Sequence, residues 1–147
     1  MTLTIAWLGK TRDPAIQSLT DDYLKRLRNY IAVEGLPLKD EEALLKLCGL
    51  EGRGAKRRLI VLERLGKQLS SEELADFVGR HRERVSQPLV FALGPADGFT
   101  DRLRQQADFQ LSLGKMTIAH GLARVLVLEQ LYRAFTILSG HPYHLGH

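Results

Sequence analysis

Five short runs of apolar and β-branched residues, each followed by a stretch of helical period, constrain this chain more than any other feature it has. The runs are LTIAWLG (3–9), IAVEGL (31–36), RLIVLE (58–63), PLVFALG (88–94) and DFQLSLG (108–114). After them, in order, come PAIQSLTDDYLKRLRNY, DEEALLKLCGL, SSEELADFVGRHRERV, DRLRQQA and AHGLARVLVLEQLYRAFTIL. This alternation predicts an α/β domain with a mainly parallel sheet flanked by helices, because a parallel return needs a crossover and the helices supply it. RLIVLE, apolar without a break, reads as a central strand buried on both faces, and RLGKQL after it as a turn. Asp13 ahead of Pro14 starts the first helix, and Ser70 or Ser71 ahead of Glu73 comes close to a capping box for the third. With 147 residues and neither repeat nor linker, the chain reads as one domain, 1–147.

Composition excludes several classes. No window approaches the roughly eighteen apolar residues of a membrane span, and the N-terminus lacks a basic, then apolar, leader. A cytoplasmic protein without a membrane partner is expected. Cys48 is the single cysteine, so no internal disulfide forms and no Cys/His zinc spacing exists; in ALLKLCGL it reads as a packed residue. The net charge of +4 and the pI near 9.4 suit a polyanionic partner. Three basic groups stand out: Lys25, Arg26 and Arg28; Arg53, Lys56, Arg57 and Arg58; and Arg80, Arg82 and Arg84. Each alone is usually a solvated helix face; together they suit an RNA or phosphate surface.

Ligands of parallel sheets bind past the carboxyl ends of the strands. Three glycine-bearing loops leave those ends in the second half, after Glu63, after Leu93 (GPADG) and after Leu113 (GKMTIAHG). No GxGxxG follows the first strand and no GxxxxGK[ST] occurs, so a nucleoside cofactor would have to use these later loops. From its residues alone GPADG reads as a tight turn chosen for its dihedral angles before it reads as a site. The last helix is apolar nearly all round from Leu122 to Leu138, which predicts burial against the sheet on one side and a second subunit on the other. Within it Glu129 and Arg133 have the spacing of an ion pair, and Arg124 and Arg133 either close salt bridges or meet an anion. The tail SGHPYHLGH spaces His141, His144 and His147 by three. In extended form they would stand about 9 Å apart, too far for one metal ion, so no metal is expected.

The run SLGKMTIAHGLARVLVLEQLYRAFTILSGHPYH closely resembles the C-terminal signature of the RlmH family, small SPOUT-class methyltransferases that modify a pseudouridine of 23S ribosomal RNA. Its core is S-x-x-K-M-T-x-x-H-x-x-x-R, then E-Q-x-Y-R-A, then G-x-x-Y-H; LTIAWLGK, YLKRLRNY, RLIVLE and the glycine loop after FAL agree more loosely. The resemblance implies a SPOUT-type fold with a C-terminal trefoil knot, a homodimer packed through the last helix, and transfer of a methyl group from S-adenosylmethionine to N3 of the pseudouridine on the ribosome. Carried over residue by residue, cofactor contacts fall on Leu62, Gly94, Leu113, Gly114, Lys115, Met116, Thr117 and Ile118. By residue type, His120, His141 and His144 are candidates for the base that removes the imide proton, Arg124 and Arg133 for binding the substrate phosphate or stabilising the imide anion, and Tyr143 for stacking on a base. A cap of the last helix is the alternative role for His120. The chain departs from the family pattern in having Gly94-Pro95 where paired glycines are usual, in a short region before Arg58, and in Leu145-Gly146-His147 beyond the matched tail. Two other readings stay open here, a knotted methyltransferase acting on transfer RNA and a non-catalytic ribosome-binding factor.

Overall fold

The computed structural model describes residues 1–50, 56–85 and 87–146, so Arg53 of the second basic group and His147 of the histidine triplet lie outside the described residues. In chain order the elements are β1 (Thr2–Leu8), α1 (Pro14–Leu27), β2 (Ala32–Leu38), α2 (Glu41–Leu47), β3 (Arg58–Gln68), α3 (Ser71–Arg84), β4 (Leu89–Leu93), α4 (Asp101–Gln106), β5 (Phe109–Ser112), α5 (His120–Ser139) and a 3-10 turn (His144–Gly146). The strands form one five-stranded sheet in the order β2-β1-β4-β3-β5, and every recorded pairing is parallel. The α/β architecture read from the alternation is therefore present.

Burial explains the order. β4, with Leu89 to Leu93 all buried, sits in the middle of the sheet, and β2, the most exposed strand, takes an edge. On one face α1, α3 and α5 cover a core of Leu3, Ile5, Leu27, Phe91, Val127, Leu131 and Phe135. On the other, the short helices α2 and α4 cover Leu44, Leu45, Leu59, Val61, Val90 and Leu103. Cys48 is packed in this second core, where burial pushes its thiol up to about 12. Burying so many apolar side chains, at about 1.5–3 kcal/mol each, drives closure of the three layers.

The helix starts carry the expected chemistry. Asp13 accepts the Ala15 N–H at 2.9 Å with Pro14 in the first turn. Ser70, rather than Ser71, caps α3, and both halves of the box are made, Glu73 N to Ser70 Oγ at 3.0 Å and Ser70 N to Glu73 Oε1 at 2.8 Å.

Three expectations change. The first helix stops at Leu27, and Arg28 to Tyr30 close as a turn. RLGKQL is not a turn ending the third strand. β3 runs on to Gln68, and Leu111 of β5 pairs first with Leu62 and then with Lys67, so residues 63–66 bulge out of the ladder and the strand resumes. Gly66 makes this possible: a Cβ there would lie 2.6 Å from the Gln110 carbonyl oxygen, and no side chain fits. Nor is the tail an extended strap. Gly140, at φ +75°, closes α5 with a left-handed residue, the His141 N–H returns to the Thr136 carbonyl at 2.9 Å, and the chain folds back along the helix it has left.

Candidate active site

The carboxyl ends of β3, β4 and β5 enclose a cavity of about 360 Å³. That lies within the roughly 300–1,000 Å³ usual for small-molecule sites. Its walls come from the three glycine-bearing loops: Leu62 to Arg64, Leu93 to Gly98, and the segment from Leu113 into the first turn of α5. Of the residues named from the resemblance, Leu62, Gly94, Leu113, Gly114, Met116, Thr117 and Ile118 line it, as does His120. Lys115 does not; its backbone carbonyl accepts from Arg64 Nη1 at 3.2 Å, tying the third loop to the first.

The loops are held by polar contacts that periodicity does not reveal. Ser112 is 4% exposed; its Oγ donates to the Arg64 carbonyl at 2.8 Å and accepts the Gly114 N–H at 2.9 Å. One hydroxyl thus joins the bulge of β3 to the loop after β5. Its only signal in the sequence is the serine that opens the S-x-x-K-M-T motif. Pro95 costs the GPADG loop nothing: its carbonyl accepts the Gly98 N–H at 2.8 Å, so it opens a tight turn where no N–H is required of it. Glu63, Arg64, Asp97 and Arg104 add charge to the walls, and sequence reading missed all four. Arg104 pairs with Asp101 and approaches Glu63 at 3.6 Å.

The five residues assigned to chemistry are not brought together within one chain. His120 is the first residue of α5, exposed at the cavity edge; Ala119 occupies the cap position without a side-chain hydrogen bond, so His120 does not cap the helix. Arg124 is 1% exposed. Its guanidinium stacks 4.0 Å from the Trp7 ring centroid and donates to the Thr11 hydroxyl, while Nε and Nη1 lack a partner among the described residues. Burial, only partly offset by Asp21, lowers its pKa.

Arg133 lies thirteen residues beyond His120, about 20 Å along the helix. There it grips Glu129 with two hydrogen bonds of 3.0 and 3.1 Å, the ion pair its spacing predicts. Donating these hydrogen bonds to the Glu129 carboxylate holds the Arg133 pKa above the usual arginine value. The tail folds onto this pair. Tyr143 lies under the Arg133 guanidinium, packs edge-on against Tyr132 at 4.8 Å and donates to Glu129 at 3.4 Å. His144 accepts from Arg133 Nη1 at 3.0 Å through Nδ1, which leaves Nε2 to donate to Glu72 at 2.7 Å. That bond holds the Glu72 carboxyl below its ordinary range. His141, by contrast, is exposed and accepts the Tyr143 N–H at 3.2 Å.

Parts of the basic groups are spent locally, Arg26 on Asp22, Arg80 on Asp76, and Arg58 on the buried His81 and the Phe77 ring. Among the described residues no group of three or more His, Cys, Asp or Glu side chains is arranged to hold a metal ion, and no helix is long and apolar enough to cross a membrane.

Comparison with known proteins agrees at the level of both sequence and fold. Residues 1–144 match the model of a family described as predicted SPOUT methyltransferase. A protein of Koribacter versatilis (strain Ellin345), named ribosomal RNA large subunit methyltransferase H, is 54% identical over 147 residues and the full length of both chains. One of the same name from Geobacter sp. (strain M21) is 38% identical, over 98% of this chain and 99% of that protein. Among solved structures, the SpoU methyltransferase AviRb of Streptomyces viridochromogenes, in complex with the cofactor AdoMet, superposes with a TM-score of 0.55 at 12% identity, over 90% of this chain and 57% of that one. A probable methylase family protein from Haemophilus influenzae Rd KW20 gives 0.58, also at 12%, over 96% and 69%. Identities this low speak to the fold, and the family rests on the full-length matches: the chain belongs to the SPOUT methyltransferases and, among them, to the RlmH family.

Proposed function

We propose that the chain is an S-adenosylmethionine-dependent methyltransferase that modifies N3 of a pseudouridine in 23S ribosomal RNA, working in the cytoplasm as a homodimer. The observation that carries the reading is the cavity at the carboxyl ends of β3, β4 and β5, lined by seven of the eight residues assigned to the cofactor. The donor set suits the group. Leu62, Leu93, Leu113 and Ile118 offer apolar walls for an adenine, and Glu63, Asp97, Arg64 and Arg104 offer partners for ribose hydroxyls and for an amino-acid end. When bound, S-adenosylmethionine supplies an electrophilic methyl group. The chain's own task is to hold the base in line with it and to take the imide proton, a task in which positioning accounts for much of the rate. His120, exposed at the cavity edge, is the base we assign.

The dimer follows from what one chain leaves undone. Leu122 and Leu126, one turn apart on α5, are 53% and 44% exposed, and Met116, in the loop that precedes the helix, 77%. Glu129 and Arg133 continue along the same side of the helix. An apolar stripe of this kind calls for a partner. A second copy packed on it, running the other way, would bring its Arg133, Tyr143 and His144 to this copy's cavity and so close the 20 Å gap. There the guanidinium would stabilise the imide anion. The trefoil knot belongs to the same proposal: beyond β5, at the sheet edge, the chain crosses the end of β3 to lay α5 between α1 and α3, and such a crossing supports a threaded loop.

The test is methyl transfer from labelled cofactor to ribosomes, to free 23S RNA and to transfer RNA, with mass spectrometry of 23S RNA from cells with and without the gene. Label in 23S RNA, and loss of one N3-methylpseudouridine without the gene, is the expected result. Label in transfer RNA alone would overturn the substrate, and failure of calorimetry to detect cofactor binding would overturn the enzyme.

A further inference from the structure

A second cavity of about 360 Å³ opens at the carboxyl end of β1, between the loop 10–13 and the first turn of α5. His120 lines both this cavity and the cofactor pocket, so the two adjoin across one side chain. The second cavity is rich in donors without a partner among the described residues. Lys10 and Arg12 on its rim are exposed, and neither pairs with a carboxylate among the described residues. Asp13, the acidic side chain beside them, is turned to α1, whose Ala15 N–H it accepts. The wall opposite is the start of α5, a twenty-residue helix without a side-chain cap, so the N–H groups of its first turn meet no intrahelical acceptor.

Arg124 supplies an independent sign of what the cavity takes. It is 1% exposed, Nε and Nη1 have no partner among the described residues, and Nη2 reaches the hydroxyl of Thr11, which itself lines the cavity. A sealed guanidinium with two idle donors and no carboxylate in contact is costly, and an anion on the far side of Thr11 offsets part of that cost. Its stacking on Trp7 fixes the cation one hydroxyl, that of Thr11, away from the cavity.

We propose that this cavity binds a phosphodiester of the RNA substrate, next to the nucleotide whose base faces the cofactor pocket. Lys10, Arg12 and the first-turn N–H groups of α5 contact the phosphate, and Arg124 positions the loop through Thr11. The proposal rests on the RNA methyltransferase reading above and deepens it. A phosphodiester fits better than a carboxylate because the donors come from both walls, two cations of the loop and the N–H groups of the helix start, as on phosphates bound at helix starts. The contact carries no base identity, so it sets affinity and register rather than the methyl step.

The Lys10→Ala/Arg12→Ala variant tests this, with Lys46→Ala on α2, across the sheet, as a charge control. Each is assayed for methyl transfer to ribosomes, for cofactor binding by calorimetry, and for anisotropy of a short fluorescent single-stranded RNA over a salt series. The altered side chains are exposed loop residues, and a thermal melt verifies the fold. For the double variant we expect KM for ribosomes to rise several-fold with kcat and cofactor affinity kept, and the slope of log affinity against log salt to fall by about 1–2. Lys10→Arg should restore part of the loss, and Lys46→Ala should resemble the parent. An unchanged KM and salt slope in the double variant would overturn the phosphate site while leaving the enzyme reading intact. If the parent protein methylates no RNA, the function reading falls and the salt slope alone decides the site: a drop sustains an RNA phosphate contact there, and no drop removes it.

Discussion

The two ends of α5 are opposites. At its start the helix is uncapped, His120 is exposed, two cavities adjoin, and the nearby cations Lys10 and Arg12 have no carboxylate partner among the described residues. At its finish nearly every polar group is spent: Glu129 holds Arg133, Tyr143 and His144 lie on the pair, and Gly140 satisfies the last carbonyls. Twenty residues of helix, about 30 Å, separate the two. Idle donors mark a place prepared for something absent from the chain, because a polar group without a partner costs free energy. A saturated cluster marks a preorganised instrument, its side chains already fixed in the arrangement they will present. In the dimer proposed above, the open end of one copy would take the ligands and the saturated end of the other would be delivered to it.

The sharpest way to break this contrast is to separate the copies. Leu122→Arg with Leu126→Arg should yield a monomer by light scattering that still binds S-adenosylmethionine but transfers no methyl group; full turnover by that monomer would show that one chain suffices. Arg133→Ala should lower kcat by about 10²–10³, the cost of losing one preorganised donor to a developing anion, with circular dichroism and cofactor affinity unchanged. Mixing it with a variant damaged only in the cofactor pocket should restore part of the activity, because the mixed dimer retains one sound start facing one sound finish. Gly66→Ala acts at the opposite end. Its Cβ would press on the Gln110 carbonyl, so we expect about 1–3 kcal/mol of destabilisation in urea and weaker cofactor binding. The smallest effect is spectroscopic. Burial first, then the Glu129 carboxylate, push the Tyr143 hydroxyl up to about 12. An ultraviolet titration comparing the parent with Tyr143→Phe should therefore show that this phenol stays protonated until pH nears 12, and ionisation near pH 10 would mean that the saturated cluster is loose in solution.

The elements were legible in the sequence to the extent that they rest on local causes. The apolar runs, Asp13 with Pro14, and the Ser70–Glu73 box each act within a few residues, and the structure has them in place. The interrupted ladder of β3 was not legible, because β5, almost fifty residues on, sets that register; Gly66 is its only local trace. Apolar period placed α5 in the core but could not tell that Arg124 is sealed over Trp7 while Arg133 stays near the surface, since both are arginines in similar company. The cofactor cavity was visible through glycines and motif residues, whereas its charged walls, Glu63, Arg64 and Arg104, lie on segments whose convergence only the fold decides.

The uniform direction of the strands has a practical consequence at the bench. In an all-parallel sheet every carboxyl end emerges on one rim, and here that rim carries both cavities. Met1 precedes β1 and leaves from the opposite rim, whereas the last residues continue a tail already laid on Arg133. An affinity tag or fluorophore belongs before Met1; the same addition after the tail would load the cluster that the proposed dimer presents to its partner copy.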